Sequence, residues 1–503
     1  MNDVSRPGNA DRRTSMGELL CAFAYASDLA FGLQFEDSLR SCYLATRLAE
    51  ELGVSHDDLA TSYYTALLKD AGCTSWTSEL AGIWQTDEIV ARRELILFTD
   101  FRTPARIEAW VRKYVAPDLP VSARQSHLAE VIESMPQIIK EAITNTSYVA
   151  GRISRRLGLT DAVQTATRHL FELWDGSGAP DGLKSYEIPV ASRIVLVSFF
   201  AVPISRVHGH AAAVEALKQN AGATFDPAVV AGLERLASEE EFWAGLEGDR
   251  IRERVLAMEP ASVMQAVGDE RVDDIALAFA DFIDLKSRFA AAHSRRVSKV
   301  AEQLARLMAC APEAVTQIRR AALMHDLGIA AVPSFFLEKP EDQLSEGELD
   351  QYRLHPYHGE RILSRVPALA GYAEMVGNHQ ERLDGSGYYR GLRSPNISLG
   401  ARIIAVADRL DELTHDAPGS PAMGVEEALA VLTKDSGLDG AILKALRRAV
   451  HETPEPVDRP WPSGLTQREV EVLRLAATGL TRAQIGFTLH ITENAVRHHL
   501  EHI

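Results

Sequence analysis

Cysteine is scarce in this 503-residue chain, and the four present (Cys21, Cys42, Cys73 and Cys310) show no CxxC spacing. That excludes a disulfide framework and a zinc ribbon, and it suits a reducing compartment. Long apolar runs are lacking too. The best, Ile188 to Ile204, is broken by Arg193, Ser198 and Pro203, and it reads as a buried helix rather than a membrane span. The polar opening MNDVSRPGNADRRTS has no apolar core of the kind a signal peptide needs. Positive charge is in deficit, and a net charge of −17 argues against a nucleic-acid coat or an anionic-membrane binder as the role of the whole molecule. A cytoplasmic protein without membrane contacts is expected.

What is present is an ordinary globular composition, 46% hydrophobic and 24% charged, on a chain too long for one core. Strict alternation is rare. From Gly17 onward apolar residues recur with the helical period, so the expected class is all-α, as helical bundles. The expected units are a disordered N-terminus (1–16), a first bundle (17–237), a helical connector (238–268) and a second bundle (269–452). A linker (453–464) with four prolines in twelve residues leads to a small terminal module (465–503).

The two bundles are copies. Asp37 to Asp70 aligns without a gap on His293 to Asp326, and Thr146 to Phe199 on His355 to Asp408. Ala66-Leu67-Leu68-Lys69-Asp70 answers Ala322-Leu323-Met324-His325-Asp326, and Asp175-Gly176-Ser177-Gly178 answers Asp384-Gly385-Ser386-Gly387. The first copy carries 47 additional residues between its blocks. Where the second copy has His293, His325, His355, His379 and Asp408, the first has Asp37, Lys69, Thr146, Leu170 and Phe199; only Asp70, matching Asp326, survives. A scaffold that persists without those histidines does not need them for folding, so in the second copy they point to chemistry.

The chemistry indicated is metal binding. His325-Asp326 closes an apolar helical run, His293 heads a helix on its core-facing stripe, and Asp408 lies on another buried stripe. A buried carboxylate needs a cation or several donors. Nitrogen and oxygen ligands without thiolate favour Mn, Fe or Zn-type ions. Such an ion lowers the pKa of bound water for attack on a phosphate ester.

Residues about 270 to 415 resemble the HD-GYP branch of the HD phosphohydrolases. The features that carry the likeness are His293-Ser294, His325-Asp326-Leu327-Gly328, Val332-Pro333, Glu338-Lys339-Pro340, His355-Pro356, His379 with Glu381-Arg382, Asp384-Gly385-Ser386-Gly387-Tyr388 and Ala407-Asp408. The resemblance implies a first metal on His293, His325, Asp326 and Asp408, with Asp326 bridging to a second on His355 and His379. It also implies His325 and Asp326 as catalytic residues, and Arg382, Asp384, Gly387 and Tyr388 as substrate contacts. The implied reaction is hydrolysis of a cyclic dinucleotide, typically cyclic di-GMP. Three positions depart from the pattern: Gln380 replaces a second histidine, Ile329 a basic residue and Tyr389 a proline. The first copy resembles the same fold with its ligands erased, and its Lys69-Asp70 reads as an ordinary polar pair.

In the terminal module, Thr466 with Glu469 and Thr481 with Gln484 form capping boxes. Val470, Leu473, Ala477 and Leu480 mark an apolar face, and a third helix begins at Glu493. The wording resembles the LuxR-type helix-turn-helix, which implies DNA as a partner and Asn494, Arg497 and His498 as groove contacts. Four arginines against four glutamates leave a thin electrostatic footprint, so a homodimer is expected. The chain stops inside the third helix, so either the native protein is longer or dimerisation rests on the bundles. The combined expectation is a phosphodiesterase coupled to a transcription regulator. The alternative is a catalytically inactive regulator whose bundles sense a nucleotide or metal, or dimerise.

Overall fold

The computed structural model describes residues 14–97, 103–260, 268–452, 465–477, 480–489 and 491–503. The expectations for most of the N-terminus and for the whole Pro-rich linker fall outside these. Among the described residues the protein is helical, with isolated bridges and no strand. Local chemistry sets many helix starts. Ser15 accepts from Glu18 N at 3.2 Å, Ser55 from Asp58 N at 3.1 Å, and Ser398 from Ala401 N at 3.3 Å. Each satisfies one of the orphan donors of a first turn.

The repeat is visible element by element. Asp37–Glu51 answers His293–Leu307, His56–Leu67 answers Pro312–Leu323, and Val190–His208 answers Leu399–Thr414. Each copy opens with an Asp–Ser staple. Ser38 donates from N and Oγ to Asp28 at 3.0 and 2.6 Å, and Ser294 from Oγ to Asp284 at 2.6 Å and from N at 3.2 Å. Gly72 and Gly328 occupy equivalent turns, where a Cβ would overlap the carbonyl oxygens of Thr146 and His355 respectively. Only glycine permits that approach.

The copies share one apolar core, fused where Phe23 stacks on Phe279 (5.2 Å) and meets Phe282 edge-on (5.0 Å). Helix Val190–His208 is long and apolar enough to cross a membrane by composition alone. Here it is a core helix, with its apolar residues from Ile194 to Ile204 buried. The insertion in the first copy builds a second core around Trp84, Trp110 and Met135. Connector helices Glu240–Glu247 and Ile251–Ala257 pack onto the first copy, where Phe242 lies on Tyr43 and Tyr63 Oη donates to Val255 O (3.1 Å).

The terminal module has helices Gln467–Ala477, Arg482–Thr488 and Glu493–His502 around Val472, Ile485 and Val496. Thr466 donates from N to the Glu469 carboxylate at 2.7 Å and its Oγ1 accepts from Glu469 N at 3.2 Å, forming the first capping box. The apolar face keeps Val470 and Leu480 of the expected set and differs in between. Val472, Leu475 and Ala476 turn inward, while Leu473 and Ala477 are exposed. In a helix this short, the phase of a mixed Leu/Val/Ala stripe is settled by what packs against it.

Candidate metal centre

His325 and Asp326 do not lie on the helix they follow. Pro312–Leu323 ends before them, and they occupy the turn into a short 3-10 segment, Leu327–Ala331. The turn frees both side chains to point into one space, which successive helical positions could not do. His293 enters from the first turn of His293–Leu307, His355 from the first turn of His355–Ser364, and His379 from just beyond Ala370–Gly377. Asp408 enters from mid-helix in Leu399–Thr414.

These six side chains converge. His293 Nε2 lies 3.2 Å from His325 Nε2, and His355 Nε2 lies 3.2 Å from His379 Nε2. Asp326 is central: Oδ2 is 3.4 Å from His293, and Oδ1 is 3.5, 3.6 and 3.6 Å from His325, His355 and His379. Asp408 Oδ1 is 3.3 Å from His293 and 3.4 Å from His325. Ligand atoms about 2.0–2.2 Å from a common ion sit roughly 3–3.6 Å apart. The trio His293/His325/Asp408 has such spacing, and the ligand atoms of His325/Asp326/His379 lie within 4.8 Å of one another.

The far side of each ring explains the inward aim. His325 Nδ1 faces Ala322 O (2.9 Å), His355 Nδ1 faces Tyr352 O (2.8 Å) and His379 Nδ1 faces Val376 O (2.7 Å). His293 Nδ1 faces Asp411 Oδ2 at 2.8 Å. A carbonyl or carboxylate can only accept, so each Nδ1 carries hydrogen and each neutral ring turns its Nε2 lone pair inward. Four inward lone pairs and two carboxylates form a donor-poor nest that is stable only around positive charge. This chemistry fits a metal ion.

Titration behaviour agrees. Burial favours neutral rings, yet Asp326, Asp408 and Asp411 hold His293 well above the usual imidazole value. Asp326 and Asp408 likewise raise His325 to about 9 against its burial. In return, the imidazoles pull both carboxylates well below their ordinary range although burial opposes it. His355 is pushed down to about 4 by burial and His379. Protons on His293 and His325 thus occupy the places a cation would take.

The departures from the resemblance have structural form. Gln380 donates from Nε2 to Asp408 Oδ2 at 2.9 Å, while its Oε1 accepts from Arg382 at 3.2 Å. The amide oxygen is therefore turned away from the nest. Ile329 is buried. Tyr389 Oη donates to Glu360 at 2.7 Å. Of the expected substrate contacts, Tyr388 lies edge-on to His355 at 6.1 Å and Arg382 stays beside Gln380.

Asp384 and Gly387 lie in a tight turn. Asp384 is exposed and accepts from Ser386 N (2.9 Å) and Oγ (2.6 Å), and Gly387 leaves no room for a Cβ. Asp175, Ser177 and Gly178 repeat this turn in the copy without a nest. Sequence reasoning missed Asp411, which pairs with Arg296 Nε at 2.7 Å and orients His293. Its position three residues after Asp408, on the same helix face, was the available signal.

The HD domain model matches residues 119–229 and 278–442, more than half of the chain. The protein belongs to the HD domain family. A second model, bacterial regulatory proteins of the luxR family, matches residues 463–503 of this HD protein. It is 29% identical over 442 residues to the 3'3'-cGAMP-specific phosphodiesterase 3 of Vibrio cholerae, covering 88% of this chain and 95% of that one. It is 33% identical over 201 residues to a cyclic di-GMP phosphodiesterase response regulator of Xanthomonas campestris, covering 38% and 51%. A crystal structure of a cyclic GMP-AMP-specific phosphodiesterase from V. cholerae superposes with TM-score 0.60 at 27% identity, covering 88% and 98%. The tandem all-α architecture and the LuxR-type module are both shown. In the latter, Asn494, Arg497 and His498 are exposed on the third helix.

Proposed function

We propose that residues 269–452 of this HD protein are a metal-dependent phosphodiesterase for a cyclic dinucleotide, coupled to DNA binding by residues 465–503. The inward-facing nest of four imidazole Nε2 atoms and two carboxylates carries this reading. His293, His325, Asp326 and Asp408 would hold one divalent ion, and His355 and His379 with Asp326 a second that lacks help from Gln380. An ion of the Mn, Fe or Zn type supplies a water of lowered pKa for attack at phosphorus. The chain's own part is to fix the rings through their Nδ1 partners and to keep Asp326 and His293 partly exposed at the mouth of a nest whose other four side chains are buried. Arg382, Asp384, Gly387 and Tyr388 are the candidates for substrate contact, with the Tyr388 ring 6.1 Å from that of His355. Because the relative sharing the whole tandem architecture is named for 3'3'-cGAMP, that nucleotide and cyclic di-GMP are the first substrates to try.

The module's DNA contacts would come from Asn494, Arg497 and His498, with a homodimer supplying two recognition helices and the cytoplasm as the place of action. Residues 17–237 are then a degenerate partner domain. The second reading, a sensor without turnover, is favoured by the inward Ile329 and the diverted Gln380 amide.

The test is metal analysis of the purified full chain, followed by hydrolysis assays with both nucleotides on wild type and Asp326→Ala. Stoichiometric metal with turnover lost in the variant supports the enzyme. Metal and nucleotide binding without turnover supports the sensor, and absence of both sinks the metal centre. Persistence of a DNA gel shift after removal of residues 465–503 would exclude the module as the DNA reader.

A further inference from the structure

We propose that the first copy binds a small aromatic carboxylate, in an apolar pocket formed where its metal ligands were erased. Thr146, Phe171 and Phe199 line a cavity of about 130 Å³. They stand at the repeat positions of His355, Gln380 and Asp408. The opposite wall comes from the first copy's insertion, through Trp76, Trp84 and Ile138. The cavity thus opens beside two of the erased ligand positions, those of His355 and Asp408, and its lining there is largely aromatic. Apolar cavities of about 150 Å³ take up a benzene-sized ring. One six-membered ring fits, with a substituent directed at the polar groups of the wall.

Two polar groups in the wall define that substituent. Trp84 Nε1 is buried and has no hydrogen-bond partner, in a side chain only 2% exposed. An indole N–H can only donate, so it calls for an acceptor. Arg92, also in the wall, is 7% exposed. Its guanidinium lies over the Phe31 ring at 4.3 Å, reaches Ala30 O at a long 3.5 Å, and touches the Cys73 thiol. Five guanidinium donors in an apolar wall with such weak acceptors favour an anion. A carboxylate on an aromatic ring supplies the acceptor, the charge and the flat apolar body together.

The pocket is also tied to the metal centre. Helices Thr77–Trp84 and Glu88–Leu95, which carry Trp84 and Arg92, grip the segment following Asp326. Glu88 accepts from Ser334 N at 2.7 Å and Phe335 N at 3.3 Å, and Thr77 Oγ1 pairs with Ser334 Oγ at 2.8 Å.

The experiment is calorimetric titration of the full chain with phenylacetate, and with toluene as its uncharged counterpart. Saturable phenylacetate binding at one site per chain is expected, at least about tenfold tighter than toluene, a gap of about 1.4 kcal/mol. Arg92→Met should erase that difference by weakening phenylacetate alone. Ala142→Phe, which fills the cavity from the helix wall, should abolish binding of both, and it decides the matter if Arg92→Met fails to fold. No saturable phenylacetate binding at millimolar concentration, equal affinity for toluene, or binding that survives Ala142→Phe would each overturn the proposal.

Discussion

The two copies solve one electrostatic problem in different ways. Both keep an aspartate in the turn after the same helix, Asp70 in the first and Asp326 in the second. In the second copy, imidazoles and a second carboxylate surround Asp326, and the balancing charge must arrive as protons or as an ion. In the first, Lys69 supplies it covalently. Its ammonium pairs with Asp70 and lies 5.0 Å from the centroid of Phe199, which replaces Asp408. Asp37, at the position of His293, turns to Arg206 at 2.6 Å. Lys69 and Asp70 are 2% and 1% exposed, so they are a buried core pair and not the ordinary polar pair their sequence suggests. At Asp70 a tethered cation thus takes the place that an exchangeable one would take beside Asp326.

The largest effect should come from breaking that tethered pair. Asp70→Ala strands a buried ammonium, and such losses cost about 3–5 kcal/mol. Replacing both partners, Lys69→Met with Asp70→Leu, should recover most of it, since a buried ion pair often contributes little over apolar packing. Chemical denaturation of the three proteins measures this. A single variant as stable as wild type would show that Lys69 finds other partners.

Next in size is Asp411→Asn, which weakens the grip on His293 Nδ1 and on Arg296 without touching the nest. Partners behind a metal ligand typically matter by about 10–100-fold in affinity or activity. Competition with a chelator would measure the metal affinity. Unchanged retention would remove Asp411 from the account and leave the ring held by packing alone.

Much of this contrast was readable in the chain. Apolar spacing located the helices, and the erased positions singled out His293, His325, His355, His379 and Asp408 before any coordinates. What could not be read depends on directions and distant partners. Periodicity could not say that His325 and Asp326 sit past the helix end, because the break depends on Gly328 passing close to His355 O. Nor could it say that the Gln380 amide faces Asp408 with nitrogen, since Arg382 fixes its oxygen. Leu473 and Val472 are equally apolar, and only the packed neighbours decide which turns inward. That Asp384 holds a turn is visible only in its hydrogen bonds and their repetition at Asp175.

The Asp–Ser staples allow a finer comparison. Burial, opposed by His293 and Ser294, raises the Asp284 carboxyl to about 6, and burial likewise raises Asp28 in the first copy. A raised carboxyl pKa means the folded state holds its proton longer than the unfolded chain. This contribution to stability is therefore present below the ordinary value of 3.8 and lost as pH rises through about 6. Asp284→Asn keeps an acceptor for Ser294 and cannot ionise. It should flatten the pH dependence across that window and gain on the order of 3 kcal/mol relative to wild type at pH 7. Parallel pH–stability curves for the two proteins would refute a buried, titrating Asp284.

The smallest effect is expected where the copies agree most. Asp175→Ala and Asp384→Ala each remove the acceptor for the Ser177 or Ser386 N–H and hydroxyl in an exposed turn. If those aspartates only shape the turn, each should lower the thermal midpoint slightly and by similar amounts, with bound metal unchanged. Turnover, where present, should be insensitive to both. A selective loss of turnover in Asp384→Ala would restore that residue as a substrate contact. It would also mean that the second copy has given a shared structural motif a second duty that the first copy never acquired.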